Sequence, residues 1–132
     1  MKYSEVWKNG ALRSSKHQLY LDKYNDIFEI YENKKIKILE FGVSTGGSLE
    51  SYANYFSPES TIVGVDLDTE CSNIEFMHDN ISIVIGDMTD SNIYKMIKNT
   101  YGKFDIIIDD GGHTNFQMHS AFIYGMELLN SN

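Results

Sequence analysis

Acidic residues and glycines recur in this sequence at spacings that suit small-molecule chemistry. Glu40, Asp66, Asp87, Asp109 and Asp110 each fall at or just past the end of a short apolar run. Between the first two lies "GVSTGG", Gly42 to Gly47, where glycines let a ligand approach the backbone closely. A carboxylate has two oxygens, enough to accept both hydroxyls of a ribose, and Asp66, 24 residues past Gly42, sits where such an acceptor is needed. Asp87, beside Met88, is placed to accept an adenine amino group. Glu40 is placed to orient the loop or to meet an ammonium end. Acids also solvate strand ends and cap helices, so these positions carry weight only as a set.

The glycine loop discriminates among nucleotides. A phosphate-binding P-loop needs a lysine directly after its last glycine, and here Ser48 follows Gly47, which excludes it. The dinucleotide fingerprint needs a second glycine two residues after the first, so that backbone can touch a pyrophosphate. That position is Ser44, whose β-carbon disfavours NAD or FAD. What remains, Glu-x-Gly-x-x-x-Gly followed by a distant acid, suits a ligand with a ribose, an adenine and a charged amino-acid tail but no phosphate. A nucleotide-dependent oxidoreductase stays a distant alternative.

The elements that must position these residues alternate regularly. Residues Lys16 to Tyr31 place Leu19, Tyr20, Tyr24, Ile27, Phe28 and Tyr31 at helical spacing, which predicts a leader helix. Strands are predicted at Ile36–Phe41, Thr61–Asp66, Ile81–Ile85 and Phe104–Asp109. Helices are predicted at Gly46–Phe56, Ser91–Asn99 and Asn115–Leu129, with an irregular piece at Ser72–Met77. Several strands are nearly continuous apolar runs, the signature of a parallel sheet buried on both faces. The expected fold is α/β, a partial parallel sheet in strand order 3-2-1-4 with helices on both faces and an N-terminal helix.

Composition narrows the function classes. At 132 residues the chain is expected to form one domain, with residues 1–34 as leader and 35–132 as core. A formal net charge of −8 repels phosphate backbones, so no nucleic acid partner is expected. Lys34, Lys35 and Lys37 read as solvated strand flanks. Cys71 is the single cysteine, which excludes an internal disulfide and fits a reducing compartment. No run approaches the ~18 apolar residues of a membrane span and no signal peptide is visible, so no membrane partner and a cytoplasmic location are expected.

The stretches "ILEFGVSTGGSLESYANYF", "IVGVDLD", "GDMTD" and "YGKFDIIIDDGGHTNFQMHSAF" resemble the class I S-adenosylmethionine-dependent methyltransferases. More particularly they resemble the metal-dependent O-methyltransferases of macrolide deoxysugars, with the related rhamnosyl O-methyltransferases and cephalosporin hydroxylase-like proteins. The leader "SSKHQLYLDKYNDIF" takes part, so that the resemblance spans roughly residues 14 to 129. It implies a Rossmann-like fold and transfer of a methyl group to a hydroxyl of a sugar or glycosylated small molecule. It also implies S-adenosylmethionine held by Glu40, Gly42, Gly46, Asp66, Asp87 and Met88, with magnesium on Asp110 and His113 as general base. Gly111 and Gly112 would turn the chain so that His113 returns to the side of Asp110. His17 and Tyr20 could cover the cofactor, though packing accounts for them as well, whereas His78 and His119 read as surface residues.

One departure qualifies this. In the family a fifth strand carries further metal-binding acids, and this chain ends 22 residues after Asp110. The expectation is therefore a C-terminally truncated form, with a non-catalytic cofactor-binding module completed by a partner as the alternative. Strand four would then be a sheet edge, from which a homo-oligomer is expected.

Overall fold

Side chains alternate between the two faces of a sheet, so a strand buried on both sides needs apolar residues in consecutive positions. The computed structural model, which describes residues 1–8, 25–110 and 123–130, shows that pattern buried on both faces in its two central strands. Its strands are β1 (Lys37–Phe41), β2 (Thr61–Asp66), β3 (Ile81–Ile85) and β4 (Ile106–Asp109). They pair in parallel in the order β3-β2-β1-β4. The described helices are α1 (Tyr3–Lys8), α2 (Gly47–Tyr55) and α3 (Ser91–Tyr101), with helical residues also at 25–28 and 123–126. The α/β fold and the 3-2-1-4 order are those read from the sequence.

Ile38 and Ile62 face one layer, and their neighbours Leu39 and Val63 face the other. The first layer is aromatic. Tyr3 of α1 meets Phe28 edge-on with ring centroids 4.9 Å apart and stacks at 5.7 Å on Tyr52 of α2. The second layer sets Leu39, Phe41, Val63 and Val65 beneath Tyr94 and Ile97 of α3 and beneath Leu128. Burying each large side chain stabilises by about 1.5–3 kcal/mol, and this alternation lets both faces contribute.

Several boundaries differ from expectation for identifiable reasons. β1 begins at Lys37 rather than Ile36, and β4 begins at Ile106 rather than Phe104. The Phe104 amide donates away from the sheet, to the Leu128 carbonyl at 2.7 Å, and the Asn130 amide returns a bond to the Phe104 carbonyl at 2.8 Å. Leu129 thus forms a parallel bridge with Phe104, which ends the last helix before the predicted Leu129. Asp105 braces this junction, accepting from Asn130 Nδ2 at 3.0 Å and from the Lys37 amide at 2.9 Å. On the outer edge expected to be open, this pairing lies just before β4, at Phe104, and not along Ile106–Asp109. Lys37 is not a solvated flank, because its Nζ donates to the Tyr101 carbonyl and caps α3. In the leader, Phe28 is buried but Ile27 is half exposed, and the remaining stripe residues other than Tyr31 lie outside the described residues. Among the described residues no helix is long and apolar enough to cross a membrane.

Gly64 in β2 packs tightly against α2 and the loop before it. A β-carbon there would lie 2.6 Å from Leu49 Cδ1 and 2.8 Å from Val43 Cγ2. Leu49 is fully buried. Gly64→Ala is expected to destabilise the chain by about 1–3 kcal/mol, the scale of core overpacking. Chemical denaturation measures this, and an unchanged midpoint would contradict the packing described.

Candidate functional site

Parallel pairing in register brings the carboxyl ends of the strands to one edge of the sheet. Phe41 stands opposite Val65 and Asp109, and Asp66 opposite Ile85. The residues that follow, Gly42, Leu67, Gly86 and Asp110, therefore emerge side by side. In open α/β sheets this edge is where ligands bind.

The loop from β1 to α2 turns through three residues with left-handed backbone: Gly42 at φ 96°, Ser44 at 52° and Gly46 at 85°. Gly42 donates to the Val65 carbonyl at 2.8 Å, which ties the loop to β2. Gly46 is required twice over, by its backbone and because a β-carbon would lie 2.8 Å from the Phe76 ring. As the residue that starts α2, Gly46 has no side chain with which to cap the first amides of the helix. Ser44 lacks the freedom of glycine, and holding it in this region costs roughly 1–3 kcal/mol.

Asp66 supplies what holds it there. Its Oδ2 accepts the Val43 amide at 2.8 Å and the Ser44 amide at 3.3 Å, and its Oδ1 accepts the Asp68 amide at 2.9 Å. Burial pushes the Asp66 carboxyl upward, but these bonds outweigh it and hold the group below its ordinary value. Asp66 was expected to meet a ribose; the structure adds a grip on the loop that no spacing in the sequence announced. Cys71, buried in the 3-10 turn Thr69–Asn73, completes the arrangement with its Sγ 3.7 Å from the Ser44 carbonyl. Burial, with the Asp66 charge second, pushes its thiol up to about 11, so it is no nucleophile near neutral pH.

The other predicted residues are placed as follows. Asp87 is exposed one residue beyond Gly86, with Oδ1 accepting the Thr89 amide at 2.9 Å and hydroxyl at 2.8 Å. The Thr89 amide, then its hydroxyl, hold the Asp87 carboxyl below its ordinary value. Met88 is buried, and its carbonyl accepts the Tyr94 hydroxyl at 2.6 Å, so α3 fixes the turn after β3. Burial and then the charge of Asp109 raise the Tyr94 phenol, which stays a donor. Glu40 was expected to orient the loop or to meet an ammonium end. It is fully buried in the aromatic layer, with Oε1 accepting the Tyr52 hydroxyl at 3.0 Å, a position that anchors the strand below the loop. Asp110 is exposed just past β4, and its amide donates to the Phe41 carbonyl at 2.8 Å. The strand ends before Asp110, which frees that side chain from strict alternation with Asp109. His113, Gly111, Gly112, His17, Tyr20 and His119 lie outside the described residues. Among the described residues no group of three His, Cys, Asp or Glu is placed to hold a metal ion.

No protein-family model matches the chain. Over 106 residues it is 33% identical to a mycinamicin VI 2''-O-methyltransferase of Micromonospora griseorubida, a match covering 75% of this chain and 26% of that protein. Over the same length it is 31% identical to a demethylmacrocin O-methyltransferase of Streptomyces fradiae, again 75% of this chain and 26% of the relative. A solved structure of the MycE methyltransferase of the mycinamycin pathway, in complex with Mg, SAH and mycinamycin VI, superposes with a TM-score of 0.83 at 27% identity. That likeness covers 98% of this chain and 37% of the solved one. The chain spans about a quarter of the length of the curated relatives it matches.

The Asp66 bonds make stability depend on pH in one direction. A carboxyl held below its unfolded value stabilises the fold above that value, and the contribution disappears as pH falls through the folded one. Starting from an ordinary value of 3.8, the loss is expected below about pH 4. Urea denaturation across that range should show Asp66→Asn losing stability less steeply with acid than the parent chain. Parallel curves would mean that Asp66 makes no such contribution.

Proposed function

With a chain related to the class I S-adenosylmethionine-dependent methyltransferases of the macrolide-sugar type as the premise, we propose that it binds S-adenosylmethionine across the β1–α2 loop, Asp66 and Asp87. The protein it represents would transfer the methyl group to a hydroxyl of a sugar or glycosylated small molecule. The observation that carries this is the loop itself. Left-handed Gly42, Ser44 and Gly46 fold the loop beside Asp66, and Ser44 stands where the dinucleotide fingerprint needs a glycine. The arrangement fits a cofactor with a ribose and an amino-acid tail. Asp66 and Asp87 would accept hydrogen bonds from the ribose and the adenine, Met88 would flank the adenine, and the uncapped start of α2 suits the carboxylate of the tail.

The bound cofactor supplies a methyl group already activated on a sulfonium, so the chain's own tasks are to orient it, exclude water and manage one proton. Asp110 offers the oxygen donor that magnesium prefers, and it would be one ligand of that ion. His113 would take the proton of the accepting hydroxyl, because an imidazole neutral near pH 7 is suited to that step.

Titration calorimetry with S-adenosylhomocysteine tests the binding site. Asp66→Ala and Asp87→Ala are each expected to weaken binding by about 1–3 kcal/mol, the scale for losing a charged hydrogen-bond partner. Equal affinity for NAD would sink the reading. For the reaction, methyl transfer by the protein is expected to need magnesium and to fall at least about a hundredfold in His113→Ala. Undiminished turnover by that variant without metal would remove both assignments.

A further inference from the structure

The Ser44 backbone sits in a conformation that an L-residue adopts at a cost, yet its amide and that of Val43 point together at one oxygen, Asp66 Oδ2. Two consecutive amides converging on an anion form a small nest, and the anion here belongs to the protein itself. The other carboxylate oxygen ties the same side chain to the start of the next turn, through the Asp68 amide. On the far side of Ser44, its carbonyl faces the buried Cys71 thiol of that turn. The loop after β1 is thus held from β2 and from the segment that follows it. The exposed Ser44 side chain contributes nothing to this grip, which runs through backbone amides.

We propose that Asp66 is a positioning residue for the glycine loop as well as a ligand contact: it stabilises the left-handed Ser44 and so keeps the loop in its binding shape before any ligand arrives. The part about the ligand rests on the reading of the site as a nucleoside-bearing cofactor site; the part about the loop does not. The chemistry follows from the bonds above. A carboxylate accepts from both amides, whereas an uncharged side chain in its place accepts weakly or from one of them. Without the grip, Ser44 is free to return to ordinary backbone, and a ligand must then reorder the loop as it binds.

Two measurements separate this role from simple contact. In the ligand-free chain, hydrogen exchange at the Val43 and Ser44 amides is expected to be at least about tenfold faster in Asp66→Asn, with strand amides of β1 and β2 unchanged. Unchanged protection at those two amides overturns the proposal. The second measurement is a double-mutant cycle in S-adenosylhomocysteine affinity. Ser44→Gly removes the conformational penalty that Asp66 offsets, so the loss caused by Asp66→Asn is expected to be at least about threefold smaller in the Ser44→Gly background. Equal losses in both backgrounds would show that Asp66 acts on the ligand alone. Should Asp66→Asn not fold, Asp66→Ser is read by the same two criteria. A parent chain that binds no S-adenosylhomocysteine overturns the cofactor reading, and the exchange measurement still judges the loop.

Discussion

A parallel sheet covered on both faces leaves no strand residue exposed by default, and the rest of this structure follows from that constraint. β1 lies in the interior of the sheet, with β2 on one side and β4 on the other, so each of its side chains must find cover in one layer or the other. Ile38 and Leu39 do so by apolar packing. Glu40 faces the same layer as Ile38, and a buried carboxylate there is tolerable only where donors reach it. The Tyr52 hydroxyl is one such donor, which ties α2 to the strand beneath it. α1 and residues 25–28 then complete that layer with Tyr3 and Phe28.

The same pairing that buries the strands sets their carboxyl ends level, and the polar residues that cannot be buried collect there. Each acid is shaped by local donors. Asp66 takes amides from two loops, and Asp87 takes the Thr89 amide and hydroxyl. Both are held charged well into the acidic range by hydrogen bonding rather than by cationic partners. Cys71, one turn away and next to the Asp66 charge, is driven the other way and stays a thiol. Local backbone geometry, and not the overall charge, sets the electrostatics of this edge.

The likeness to the solved MycE methyltransferase is close in fold, with a TM-score of 0.83, at only 27% identity. The reason is visible in the layers. Either face accepts any apolar residue of suitable size, so strands drift in sequence while their pairing persists. The positions with less freedom are those whose backbone or depth is special: Gly42 and Gly46 in the loop, Gly64 against Leu49, and Asp66 at the end of β2.

The sequence by itself determined the sheet, because continuous apolar runs and alternating strand and helix patterns are local signals. β2 and β3 were legible to the residue as Thr61–Asp66 and Ile81–Ile85. It also placed the acids at strand ends, since that needs only a count of positions. Tertiary structure alone decided what those acids touch. Nothing in the spacing shows that Glu40 points at Tyr52, that Lys37 reaches the end of α3, or that Asp66 grips Val43 and Ser44. Each of these joins groups separated by 12 to 64 residues, so the partner is chosen by how layers stack and not by neighbouring sequence. The start of β4 shows the same limit: its apolar run continues back to Phe104, but a bond to Leu128 turned that residue out of the strand.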